Sequence, residues 1–430
     1  MDPLVIAAWV AAGASVATLA GTTISDHFNR VATRKDNDNT LNQQREQLKQ
    51  TLTEQRSELD NTLTAQGEHL QTTLRAQSEQ LDRTLAQQRA QTLNERFATA
   101  AGQLGNGKPP AVRLAGVYAM AGLADDWEEN RQTCVEVLCG YLRMPYERDP
   151  GEQASERKRL DFRASREVRH TVIRVITAHL KESAVKSWQG LNFDFTGVVF
   201  DGGDFSRANF SGGTVDFGGA EFSGGMVDFR HAEFSGGNVN FLRARVTGGL
   251  VNFIDARFTG GQVFFIGAEF SGGEVRFNGA RFSRGTVHFG RAEFSGGTVR
   301  FSSAGFSGGT VYFGEAKYSG SVVDFIDTRF TGGRVYFGKA VFSDGTVRFS
   351  SAKFSDGTVD FGDAEFTGGT VDFRDAVFSD GTVDFGDAEF TGGTVLFSAP
   401  EPGWPLPTFP WTDTPPLGVK FLKPEDQSQE

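Results

Sequence analysis

Thr214-Val-Asp-Phe217-Gly-Gly-Ala220-Glu-Phe222-Ser-Gly-Gly225 is one copy of the twelve-residue unit that decides how half of this chain folds. Valine returns every twelve residues from Val215 to Val395, sixteen units without a miss, and phenylalanine follows each valine at two residues, from Phe217 to Phe397. A second aromatic comes five residues later, as at Phe222, Phe234 and Phe258, with alanine two before it, as at Ala220, Ala232 and Ala256. Val246 and Tyr318 stand in for that second Phe, and Thr328 for one alanine. Within Val-x-Phe and Ala-x-Phe the side chains alternate, so each apolar pair faces one side and the variable residue the other, which is the period of a strand. Gly-Gly then turns the chain. So short a strand cannot bury its own inner face, but units stacked at ~4.8 Å bury it continuously and pair their backbones. The pattern predicts a β-solenoid with a core of Phe, Val and Ala, rather than a sandwich, which needs longer strands and varied loops.

At the entry to the array, Phe195, Phe200, Phe205 and Phe210 are five apart, and Phe205-Ser-Arg-Ala208-Asn-Phe210-Ser-Gly resembles the A-[DN]-[LF]-x-x unit of pentapeptide-repeat proteins. The resemblance implies a right-handed, four-sided helix with the Phe and the small residue two before it pointing inward. From Phe210 the steps alternate between seven and five, so each twelve reads as two pentapeptides with two added corner residues. A rung of twelve residues has a perimeter of only ~40 Å, tight around two Phe, a Val and an Ala. A four-sided rung of 24 is preferred, with a narrow two-sided rung of twelve as the alternative. The segment Phe354 to Val371 is identical to Phe378 to Val395, which shows one duplication of 24 residues.

The 430 residues carry a net charge of −11, and 40 Phe and 53 Gly reflect the repeat. Five segments follow from the pattern: 1–35, a transmembrane anchor with a basic flank; 36–93, a coiled coil; 94–190, a helical connector; 191–399, the pentapeptide-like solenoid; and 400–430, a Pro-rich cap and disordered tail. The fold class is therefore multi-domain α and β.

Pro3 to Ser25 holds no charged residue and is near the ~20 residues that cross a bilayer. Arg30, Arg34 and Lys35 follow it, which predicts a single-pass protein of the cell membrane with the bulk of the chain in the cytoplasm. Leu41, Leu48, Leu52, Leu59, Leu63, Leu70, Leu74, Leu81 and Leu85 then alternate steps of seven and four, with Gln44, Gln55, Gln66, Gln77 and Gln88 at the remaining stripe positions. An eleven-residue repeat winds a coiled coil straight or slightly right-handed. Gln layers would fix register and partner number at some loss of stability. The residues from Leu48 to Leu81, with Gln55, Gln66 and Gln77 between them, are expected to join copies of this chain.

In the connector, Glu95-Arg96-Phe97, Gln103-Leu104-Gly105, Val112-Arg-Leu-Ala-Gly-Val117-Tyr-Ala119 and Val135-Glu-Val-Leu-Cys139 resemble the segment before the repeats in actinobacterial membrane-anchored pentapeptide-repeat proteins. That resemblance implies no activity. Cys134 and Cys139 read as buried thiols on a helix. Arg157, Lys158, Arg159, Arg163, Arg166, Arg169 and Arg174 against Glu156, Asp161 and Glu167 leave a local +4, expected to be a solvated helix face.

No Ser-His-acid set, metal cluster or phosphate loop emerges, so neither enzyme activity nor a cofactor is expected. Ten acids and one base, Arg374, lie between Asp356 and Glu389. Asp360, Asp363, Asp372, Asp375, Asp384 and Asp387 are the candidate partner-binding face. These segments together predict a non-enzymatic, membrane-anchored, oligomeric scaffold that presents the β-solenoid to an unknown protein partner, without direct nucleic-acid binding. The alternative is an acidic imitation of the nucleic-acid backbone that modulates an enzyme such as a topoisomerase, as some soluble pentapeptide-repeat proteins act on DNA gyrase. Trp404, Phe409 and Trp411 are expected to cover the last rung, and the remainder to Glu430 to be disordered.

Overall fold

The computed structural model describes residues 36–105, 107–379, 381–399, 407–412 and 414–423. It divides into two units, Met1–Ala90 and Gln91–Glu430. Helix α1 spans Asp36–Leu104. Within the first unit its leucines lie open: Leu59 is 50% exposed, Leu70 60% and Leu81 58%. Among the described residues no helix is long and apolar enough to cross a membrane, which overturns the expected placement as a single-pass membrane protein. Pro3 to Ser25, on which that expectation rested, lies outside the described residues. The long helix that is described carries a charged residue every few positions and cannot substitute for it.

In the second unit, Leu93, Ala100 and Leu104 of α1 share one buried core with α2 (Pro110–Asp126), α3 (Arg131–Arg143) and α4 (Glu156–Leu180). Pro110 starts α2 because a helix's first residue has no intrahelical use for an N–H. Cys134 and Cys139 are buried on α3, and burial pushes their thiols up to about 11 and about 12.

The same core continues into a right-handed β-solenoid of about nine turns. Strand pairing settles the rung: Val215 lies against Val239 and Val227 against Val251, all parallel, so a rung takes 24 residues and the twelve-residue alternative fails. Each rung has four faces. Face 1 begins with Thr214–Asp216, face 2 with Glu221–Phe222, face 3 with Met226–Asp228 and face 4 with Glu233–Phe234. Faces 1 and 4 are separate sheets of nine and eight strands, while faces 2 and 3 form one sheet of 17. They merge because strands Lys317–Asp324 and Val341–Arg348 run through the corner, where Ser321 and Asp344 replace corner glycines.

Two kinds of corner close the rung. Gly-Gly corners are those the repeat announces. The other is Phe-x-x-Ala, a β-turn in which the Ala220 N–H donates to the Phe217 carbonyl at 3.0 Å and the third residue takes a left-handed φ, as at Arg291 (57°), Glu315 (58°) and Lys339 (59°). That turn was not read from the sequence, because its left-handed residue is rarely glycine.

Four columns of rings fill the interior. Phe277 and Phe301 stack at 4.8 Å and 2°, while Phe289, in the neighbouring column, meets Phe301 edge-on at 5.7 Å and 87°. Offset stacks along each column and edge-to-face contacts between them satisfy the ring quadrupoles together. Tyr318 sits in an outer column between Phe294 (4.8 Å) and Phe342 (4.7 Å), and its buried hydroxyl has no hydrogen-bond partner among the described residues. Tyr318→Phe is therefore expected to raise stability by about 1 kcal/mol, read as a higher urea midpoint at unchanged slope.

Both ends are covered. Beneath the first rung, Asp201 accepts from the Tyr146 hydroxyl (2.7 Å), pairs with His170 Nε2 (3.0 Å) and lies 3.1 Å from Arg166 Nε. Arg169, buried, donates to the Leu142 and Val199 carbonyls at 2.6 and 2.8 Å. Part of the basic cluster expected to face water thus fastens α4 to the solenoid. At the far end Phe409 stacks on Phe385 at 5.5 Å, Trp411 meets Phe390 at 5.2 Å, and strand Val419–Leu422 pairs with Thr394–Ser398. The tail expected to be disordered therefore supplies a further strand that satisfies the last edge; Trp404 lies outside the described residues.

Candidate interaction surfaces

Because the inward positions are all committed to packing, the chemistry of the solenoid lies in its outward rows. A row repeats every 24 residues, so alternate twelve-residue units point to opposite faces. The six candidate aspartates are divided accordingly. Asp360 and Asp384 share face 1, in register. Their Oδ1 atoms accept the N–H of Gly362 (2.7 Å) and Gly386 (2.9 Å), so both carboxylates cap their own turns. Asp363 and Asp387 are exposed at the next corner. Asp372 is buried half a turn away on face 3, held by Arg374 and by Ser350 Oγ at 3.0 Å. Asp375 is exposed on that far side, where its backbone N–H donates to Ser398 Oγ at 2.9 Å. The structure therefore brings four of the six together and sets Asp372 and Asp375 apart, so they do not make one acidic face.

The 24-residue period also sorts residues that a twelve-residue reading mixes. On face 1 the position held elsewhere by Asp or Asn is taken in four successive rungs by Phe264, His288, Tyr312 and Tyr336. These outward rings are half-buried; His288 stacks on Tyr312 at 4.8 Å and Tyr312 on Tyr336 at 5.1 Å. Burial lowers the His288 pKa, and its Nδ1 accepts the Gly290 N–H at 3.0 Å, replacing the aspartate cap. On face 3 the same position holds Arg276, Arg300, Asp324 and Arg348. Arg348 bonds Asp324 at 2.9 Å, and Arg300 bonds Glu274. In the sequence these two rows interleave, which is why neither was recognised as a row.

Among the described residues no group of three His, Cys, Asp or Glu is arranged to hold a metal ion. In α1, Leu48, Leu52, Leu59, Leu70, Leu74 and Leu81 are exposed, Leu63 is partly so, and Gln55, Gln66 and Gln77 are exposed between them.

No curated protein and no solved structure matches the chain. Residues 195–245 match the family model described as pentapeptide repeats (9 copies), the stretch in which five-residue spacing gives way to the twelve-residue unit. That match covers the entry to the array and, taken with the four-sided solenoid, it supports a pentapeptide-repeat protein; nothing found bears on the actinobacterial, membrane-anchored group that the connector resembles.

Proposed function

We propose that this protein is a non-enzymatic scaffold whose solenoid presents ordered rows of side chains to protein partners, and that α1 joins several such chains through its leucine stripe. The observation that carries the reading is the division of labour in each rung. Val, Phe and Ala face inward and are buried, while the outward rows differ from face to face. A stacked core of this kind holds a side-chain row rigid without a cleft, and protein recognition by extended repeat surfaces needs just that. The separation of Asp372 and Asp375 from the other four candidate aspartates favours this reading over imitation of a nucleic-acid backbone.

Two measurements test it. A photo-crosslinking residue placed in turn at one outward position on each face, Tyr312, Lys317, Thr346 and Arg329, is expected to capture partner proteins from one face in strong preference to the others. Capture from none, or equally from all four, overturns the scaffold. For the helix, light scattering on the full chain is expected to give a multiple of the single-chain mass. Leu59→Glu with Leu70→Glu is expected to reduce it to one chain, since a charge in an apolar seam is left without a partner. A wild-type mass of one chain overturns self-association.

A further inference from the structure

Face 4 carries a row unlike the others. After Glu233, which stands in register against Arg257, its outward positions hold Arg257 directly against Arg281, then Gly305, then Arg329 directly against Lys353, all in parallel register. Several cations in other rows are ion-paired: Arg245 lies 3.3 Å from Glu269, Arg291 2.9 Å from Glu315 and Lys317 3.4 Å from Glu293, and even Arg276 and Arg300, like charges in register on face 3, are both held by Glu274. Like charges opposite one another across a ladder are destabilising. All four cations are exposed, and none forms an ion pair among the described residues. At Gly305 a Cβ would meet nothing within 4 Å, so the row has an open notch between its two pairs.

We propose that this row is a docking site for an extended acidic segment of a partner protein, lying along the solenoid axis with carboxylates at alternate positions. The proposal rests on the scaffold reading and names the chemistry of one partner. With rungs ~4.8 Å apart, the four cations fall at about 0, 5, 14 and 19 Å along the axis. Alternate side chains of an extended chain fall at about 0, 7, 13 and 20 Å, within the sweep of Arg and Lys side chains. The bare rung at Gly305 lets Arg281 and Arg329 reach the two inner carboxylates from either side. A nucleic acid fits less well. The row ends after about 19 Å, acids follow it at Asp356 and Asp375, and the outward aromatic row that could stack bases is on face 1.

The test is fluorescence anisotropy of the full chain with a labelled Glu-Ser-Glu-Ser-Glu-Ser-Glu peptide, its Gln counterpart and a single-stranded oligothymidylate. The Glu peptide is expected to bind at least tenfold more tightly than either other probe. Arg281→Glu with Arg329→Glu is expected to weaken it at least tenfold. Arg243→Glu with Lys339→Glu, the same charge change at another corner, is expected to leave it within twofold. Arg281→Glu also places an acid against Arg257, so its melting temperature is expected to rise, which separates lost binding from lost folding. Equal weakening by both double variants, a Gln peptide that binds as well as the Glu peptide, or an oligonucleotide that binds more tightly overturns the proposal. The photo-crosslinking samples all four faces, so the scaffold reading and this one can fail separately.

Discussion

Phe301→Ala is expected to cost the solenoid about 3–5 kcal/mol, the range for truncating a buried aromatic. Phe301 is wholly buried. Its ring stacks at 4.8 Å on Phe277 below and on Phe325 above, and meets Phe289 and Phe313 edge-on at 5.7 and 6.0 Å. The cost of such a truncation depends on whether neighbours can collapse into the gap. Here they cannot, because backbone bonds set the rung spacing: the Phe277 N–H donates to the Arg300 carbonyl and the Phe301 N–H to the Asp324 carbonyl, each at 2.6 Å. Phe378 provides the contrast. It is only partly buried and, among the described residues, stacks on one ring, Phe354, at 5.1 Å, so Phe378→Ala is expected to cost less than half as much. Since rungs contact only their neighbours, a weak point in the middle also divides the array. Urea unfolding of Phe301→Ala followed by circular dichroism should therefore show two steps where the parent shows one. A single transition shifted by less than about 1 kcal/mol would mean that the columns can repack.

The inward half of the fold was legible because it is written in residue type at a fixed period. Valine and phenylalanine recur at positions that only a strand can send to one side, and all of the repeat's inward ones but Phe378 and Phe390, near the far end, are buried. The rung of 24 was inferred from the room that rings need, and the pairing of Val215 with Val239 bears it out. The outward half was much less legible. Its rows carry no constraint from packing, so neighbouring units vary freely, and only knowledge of the rung length separates Tyr312 on face 1 from Arg300 on face 3. The Phe-x-x-Ala corner escaped notice for a related reason: its left-handed residue is Arg, Asp, Lys or Ser far more often than Gly, because no backbone crowds it, as at Gly267, where a Cβ meets nothing closer than 3.8 Å. The terminal strand Val419–Leu422 had no repeat to announce it, and its signal is the open edge it must cover. Asp201 went unremarked because its partners, Tyr146, Arg166 and His170, are remote in sequence and meet only after α4 docks.

Gly261→Ala is expected to destabilise by more than about 3 kcal/mol, although it adds one methyl group at the surface of the rod. Two effects combine. Gly261 has φ 70°, a conformation that costs an L-residue roughly 1–2 kcal/mol. That alone is bearable, since Asp255 and Asp327 adopt φ of 56° and 55° in the other kind of corner. The second effect is decisive. A Cβ on Gly261 would lie 1.9 Å from the Gly237 carbonyl oxygen of the preceding rung, and that oxygen accepts the Gln262 N–H at 3.3 Å. The methyl group can be accommodated only by separating two rungs that the ladder holds together, so a backbone hydrogen bond of the ladder is lost along with the strain. The position is glycine eight times out of eight, from Gly213 to Gly381, and in the six rungs from Gly213 to Gly333 it has a left-handed φ and a carbonyl oxygen of the preceding rung within 2.5 Å of where a Cβ would lie. Gly267 separates the two causes: its φ is 61°, but the nearest atom to a Cβ is Arg243 Cγ at 3.8 Å. Gly267→Asp is thus expected to cost no more than about 1 kcal/mol, while Gly261→Ala lowers the urea midpoint severely. Equal midpoints for the two variants would show that the left-handed backbone, and not contact between rungs, reserves these corners for glycine.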